Sequence, residues 1–195
     1  MPLVHAILAS LDFQPMTGYD LKKFFDQSVG HFWSTTQSHI YKALNDLESQ
    51  GWVHKHTIPQ EDKPNRKEYS ITDSGRVELR RWLTTPLSLA PVREAWLIQL
   101  FFSHHSTNAE ITALLEARLS EFRQILDQYQ AQTEAALPLE VPPGLERAQA
   151  LWQTTLDYGR AYYEFELHWN LEMLERVKSL PPLSAQDATH IKQGV

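Results

Sequence analysis

Gln37, Ser38, Tyr41, Lys42 and Asn45 fall to one side of a segment whose apolar residues, Ile40, Leu44 and Leu47, are spaced four and three apart. That spacing makes one buried stripe on a helix and leaves the polar set outside it. The polar set has a definite chemistry. Gln and Asn amides pair with base edges in a DNA major groove. A Tyr hydroxyl bonds phosphate, or its ring packs on a thymine methyl, and Lys neutralises phosphate. Further on, Lys63, Arg66 and Lys67 gather three cations within five residues. Taken one at a time, these residues fit a solvated helix face and a charged turn equally well, because solvent-facing charge is the norm. Their order along the chain decides between the two.

Two histidine pairs raise a metal reading. His54 and His56 would project to one face of a strand, and His104 and His105 are adjacent. Zinc needs three or four ligands of compatible geometry, and no third ligand stands at a matching spacing. The chain has no cysteine, which excludes disulfides, thiolate metal sites and a cysteine nucleophile. It also lacks G-x-S-x-G, H-E-x-x-H and any phosphate loop, and its seven glycines are scattered. No enzyme, cofactor or resident metal is expected. A metal-responsive regulator and a protein-interaction adaptor remain as alternatives.

The elements that must position the polar set are legible. Residues 3–11 read as a short helix with Leu3, Ile7 and Leu11 on one face. Thr17 is a natural N-cap for a helix from Gly18 to about Gln27 that buries Leu21, Phe24 and Phe25. Ser34, Thr35 and Thr36 offer the cap of the next helix, which runs to about Gln50, with Gly51 at its end. Residues 52–58 and 67–71 read as two strands of a hairpin whose tip is Pro59 to Arg66. Thr72 caps a helix ending near Leu83. Helix, helix, recognition helix and hairpin in this order make a winged helix-turn-helix. The fold class is therefore mainly α, with a small β-hairpin.

The segment TTPLSLAP separates this part, residues 1–85, from a second, residues 86–195. In residues 1–83 ten basic side chains balance ten acidic ones, while residues 84–195 hold eight and fourteen, so the whole net charge of −6 lies in the second part. That part reads as helical. Residues 92–103 are apolar on nearly all sides and should be buried. A capping box at Thr107–Glu110 starts a helix to about Ala136. After a turn at Pro138, Pro142, Pro143 and Gly144, a second long helix runs to about Val177, and Ser184 would cap a short terminal one. The longest clearly apolar stretch, Ala95 to Phe102, is far short of the ~20 residues that span a bilayer. The start lacks the basic region of a secretory signal, so a soluble cytoplasmic protein is expected.

The segment from Ile40 to Val53, IYKALNDLESQGWV, resembles the recognition-helix signature of PadR-type transcriptional regulators. Arg66 to Gly75, RKEYSITDSG, with Leu79 and Trp82, resembles that family's wing and following helix. Thr17 to Leu21, TGYDL, matches its second helix. The remainder resembles, by length and helix layout, the long C-terminal domain of the larger PadR subgroup. The resemblance implies a homodimeric DNA-binding protein, usually a repressor, acting on a palindromic operator. It implies that the C-terminal helices dimerise and that small aromatic or hydrophobic effectors release DNA. Carried onto this sequence, it assigns Thr17 and Tyr19 to phosphate. It assigns Gln37, Ser38, Tyr41 and Lys42 to the major groove, and Lys63, Arg66 and Lys67 to the wing. The wing departs from the family pattern in carrying Glu61 and Asp62, with no glycine between Trp52 and Gly75.

The last long helix points to a dimer independently. Tyr158, Tyr162, Phe165, Trp169 and Met173 follow helical spacing on one side, and Leu156, Tyr163, Leu167, Leu171 and Leu174 on another. A helix with two apolar sides packs against two partners. The aromatic set Trp96, Trp152, Tyr162, Tyr163, His168 and Trp169 is the candidate effector site, since ligand pockets are apolar with a few polar handles. Ordinary core and dimer seam account for the same residues.

Overall fold

The computed structural model describes residues 2–59, 65–134 and 146–183. Its elements are α1 (Pro2–Phe13), β1 (Met16–Thr17), α2 (Gly18–Gln27), α3 (Gln37–Ser49), β2 (Val53–Ile58), β3 (Arg66–Ile71), α4 (Asp73–Leu83), α5 (Ala95–Phe101), α6 (Asn108–Glu134) and α7 (Glu146–Lys178). Short 3-10 turns at Val29–His31 and Ser103–His105 join some of them. Two compact units divide the chain, Met1–Leu89 and Ala90–Val195. No described helix is long and apolar enough to cross a membrane.

In the first unit α1, α2 and α3 pack on an antiparallel sheet of order β1-β3-β2. Val53 pairs with Ile71 and Lys55 with Tyr69. The hairpin lies within one residue of the sequence reading. β1 was not foreseen, because two residues carry no period. Ile40, Leu44 and Leu47 are fully buried with Ile7, Leu8, Leu21 and Phe25. Each such side chain contributes about 1.5–3 kcal/mol on burial.

The same core buries a histidine that periodicity passes over. His5 stacks on Trp82, with ring centroids 4.7 Å apart, and its Nε2 lies 2.8 Å from Glu78 Oε1. An ionised carboxylate only accepts, so Nε2 carries the hydrogen and donates. Arg81 donates to both oxygens of Glu78 at 2.7 Å. These bonds, those from Arg81 foremost, lower the Glu78 pKa from the ordinary 4.5 to about 2. A carboxylate with a lowered folded pKa contributes stability that is complete above its unfolded value and lost as pH falls toward the folded one. Thermal melts should therefore lose stability between pH 4.5 and 2, and Glu78→Gln should flatten that part of the profile. An unchanged acid limb in Glu78→Gln would show that the cluster adds nothing.

In the second unit α6 and α7 form an antiparallel pair. Ile111 and Leu115 meet Val177, Met173 and Leu174 near one end. Phe122 and Tyr129 meet Tyr163 farther along, with ring centroids 6.2 and 5.9 Å apart. The capping box is present: Glu110 accepts from the Thr107 backbone N–H at 2.7 Å and from its hydroxyl at 2.8 Å. The expected helix end near Ala136, the Pro138–Gly144 turn and the Ser184 cap lie outside the described residues.

One expectation fails. Residues 92–103 are not buried throughout. α5 spans seven residues, Trp96 is buried and Leu100 half-buried, while Ile98, Phe101 and Phe102 are exposed, Phe101 at 77%. Two helical turns press only one face inward, and a sequence apolar but for Gln99 gives little sign of which face that is. On α7 Leu156 is buried, while Tyr158 and Phe165, on the other apolar side, are 72% and 61% exposed.

Candidate nucleic-acid interface

The helix start at Thr17 fixes the site. The Thr17 hydroxyl accepts from the Asp20 backbone N–H at 3.1 Å and donates to Asp20 Oδ2 at 2.7 Å. The Thr17 backbone N–H donates to the same carboxylate. Thr17 is thus occupied in capping the start of α2, the end of a helix whose dipole favours an anion. Those bonds, with Arg66 and Lys23 nearby, hold the Asp20 carboxyl below the usual carboxylate range. Tyr19 is exposed beside them.

Tyr41 comes to the same corner from α3. A Cβ on Gly18 would lie 2.5 Å from Tyr41 Cε1 and 2.8 Å from Cζ, so the ring is seated on the bare backbone of Gly18. Arg66, at the base of the wing, reaches it from the third side, with Nη2 3.4 Å from Asp20 Oδ2 and 3.5 Å from Glu68 Oε1. Thr17, Tyr41 and Arg66, far apart in sequence, therefore converge. Gln37, Ser38, Lys42 and Asn45 are all exposed along α3, and Lys67 is exposed on β3. Lys63 lies outside the described residues.

The recognition helix is held at both ends. Thr36 caps its start, its hydroxyl accepting from the His39 N–H at 3.3 Å. Gly51 ends it with φ 71°, the left-handed region that disfavours other residues. Thr72 and Ser74 hydroxyls then donate to the Gly51 carbonyl at 2.8 and 2.9 Å, pinning α4 to the end of α3. Lys55 donates to Glu48 at 2.6 Å and ties β2 to the same helix. Sequence reasoning missed two residues of this corner. Gly18 had no signal beyond its place after a cap. Asp20 had one, the T-x-x-D spacing, but its link to Arg66 depends on the tertiary fold.

The other candidates separate. Trp96 and Trp169 meet edge-on at 5.4 Å, and Tyr162 stands edge-on to Tyr163 at 5.2 Å. Trp152 is half-buried on α7. His168 is 76% exposed, 3.2 Å from Glu172. A cleft of about 380 Å³ near Leu100, His104, Ile111 and Leu180 is lined by none of that aromatic set. The His54 and His56 rings are 6.4 Å apart, and those of His104 and His105 3.9 Å. Among the described residues no group of three His, Cys, Asp or Glu is placed to hold a metal.

Residues 7–81 match the transcriptional regulator PadR-like family, and residues 92–178 match the virulence activator alpha C-terminal domain. The chain joins a PadR-like transcriptional-regulator domain to a virulence activator alpha C-terminal domain. It is 48% identical over 88 residues to a probable transcriptional regulator of Mycobacterium tuberculosis, Rv1176c, a match spanning 45% of this chain and 47% of that one. It is 29% identical over 141 residues to the negative transcriptional regulator PadR of Bacillus subtilis, covering 72% and 78% of the two chains. The crystal structure of B. subtilis PadR in complex with operator DNA superposes with a TM-score of 0.78 at 25% identity, covering 91% of this chain and 99% of that one. The B. subtilis protein has also been solved in complex with p-coumaric acid. The fold of this PadR-like chain is thus that of a winged-helix regulator with a long helical second unit.

Proposed function

We propose that this chain is a homodimeric repressor that acts in the cytoplasm on a palindromic operator. The observation that carries the reading is the convergence of Tyr41, Arg66 and the capped start of α2 beside the exposed polar face of α3. In this reading Gln37, Ser38 and Lys42 enter the major groove, while Tyr41, which the resemblance assigns there, sits against Gly18 at the start of α2. Tyr19, Tyr41 and the α2 N-terminus hold phosphate, and Lys63, Arg66 and Lys67 bring the wing to the neighbouring backbone. Operator binding by the B. subtilis relative supports the assignment. The exposed rings of Phe101, Tyr158 and Phe165 are the seam a second copy covers, since a monomer seldom leaves so many large apolar groups in water. Residues 1–85 bind DNA, and residues 86–195 dimerise and take a small aromatic or hydrophobic effector that releases it.

The test is a gel shift of the region upstream of the protein's own gene at low and moderate salt. Tyr41→Ala, and Arg66→Ala with Lys67→Ala, should each weaken specific binding, Tyr41→Ala by about tenfold. The charge pair should also lower the salt slope by about 2, one counterion per lost phosphate contact. Specific binding that neither change weakens contradicts the residue assignment. Absence of binding at any salt favours an adaptor.

A further inference from the structure

A polar layer interrupts the apolar seam between α6 and α7. Asn170 is fully enclosed, Glu166 is buried and Arg118 half-buried. Trp96 of α5 stacks on Arg118, with the guanidinium carbon 3.9 Å from its ring centroid and 5.0 Å from that of Phe122. Four enclosed polar atoms there have no hydrogen-bond partner: Trp96 Nε1, Arg118 Nε, Glu166 Oε2 and Asn170 Oδ1. Glu166 Oε2 stands 3.6 Å from Arg118 Nη2, a charge pair beyond hydrogen-bond length. Native interiors seldom leave such groups unpaired, least of all four together.

We infer that the Trp96 side chain is a built-in occupant of a ligand site, standing in for a flat aromatic molecule that carries N–H or O–H donors. The inference rests on the effector reading above and gives it a place and a chemistry. If the indole swings out, it leaves a slot of its own size. One wall is the guanidinium face of Arg118, which attracts an aromatic face. Trp169 forms another. With the indole gone, two unpaired acceptors, Glu166 Oε2 and Asn170 Oδ1, remain beside one unpaired donor, Arg118 Nε, in the same polar layer. A ring bearing a donor pairs with them and satisfies what Trp96 does not. An aromatic carboxylate instead meets the Glu166 charge and two acceptors it cannot serve. Trp96 is the one buried side chain of α5, so displacing it frees a helix that also carries Phe101 of the proposed dimer seam. Occupation of the slot is thereby linked to the spacing of the two reading heads.

The probe is indole, with indole-3-carboxylate as its anionic counterpart, titrated into the full chain. In the wild type, saturating indole should move the Trp96 side-chain N–H resonance to the position of a solvent-exposed indole. By calorimetry Trp96→Ala should bind indole at least tenfold more tightly than wild type and bind indole-3-carboxylate at least tenfold less tightly than indole. Trp96→Phe, which keeps the slot filled, should bind as weakly as wild type. An unmoved Trp96 resonance, or equal indole affinity in Trp96→Ala and wild type, overturns the site. If an aromatic compound releases operator while that resonance stays fixed, this site is wrong and the effector reading stands.

Discussion

Gly18→Ala should weaken operator binding by about tenfold, equivalent to about 1.4 kcal/mol, with little loss of thermal stability. The added methyl would lie 2.5 Å from the Tyr41 ring. The ring is the outer end of a side chain, so it gives way, and the helix start itself tolerates alanine. The effect should therefore fall on recognition and leave folding intact. Tyr41→Ala should produce a loss of similar size. The double variant Gly18→Ala with Tyr41→Ala should be no worse than Tyr41→Ala alone, because both changes break one contact. Additive losses would mean that the two residues act separately and that the seat has no role in binding.

Leu44→Ala should destabilise the first unit by about 2–5 kcal/mol, the range for truncating an enclosed leucine. Leu44 is fully buried where α1, α2 and α3 meet. Domains of this size hold about 5–15 kcal/mol in all, so the melting temperature should drop by many degrees and operator binding should fail near it. Its neighbour Asn45 is exposed. Asn45→Ala should stay within about 0.5 kcal/mol of wild type in stability. Chemical denaturation of the two variants reads the contrast directly. Equal stability in the pair would mean that the Ile40/Leu44/Leu47 stripe is not the support of the recognition helix.

That contrast also marks what the amino-acid order disclosed. Ile40, Leu44 and Leu47 announce their face by spacing alone, and Gly51 and Thr72 announce the ends of elements by their chemistry. These are local signals, which require no knowledge of what packs nearby. The convergence of Gly18, Asp20, Tyr41 and Arg66 is tertiary, and no spacing within one element encodes it. The same holds for His5, whose partners Glu78 and Trp82 lie more than seventy residues away. α5 fails for a different reason. Ala95 to Phe102 is apolar except for Gln99, so it contains too little period for a buried face to be read, and Trp96 turns inward while Phe101 does not. His168 was singled out for lying among aromatic residues in the sequence, yet on α7 it points to solvent.

The net charge of −6 initially opposes nucleic acid, but it resides in residues 84–195. A neutral reading head with cations at Lys42, Lys63, Arg66 and Lys67 should bind random DNA weakly and lose that binding quickly with salt. In the proposed dimer, specific recognition then depends on two heads engaged together at half-sites about 34 Å apart. Competition between a full palindrome and a single half-site for the bound protein, at moderate salt, tests this most directly. The palindrome should compete at least a hundredfold better than the half-site. A half-site that competes as well as the palindrome would contradict the account.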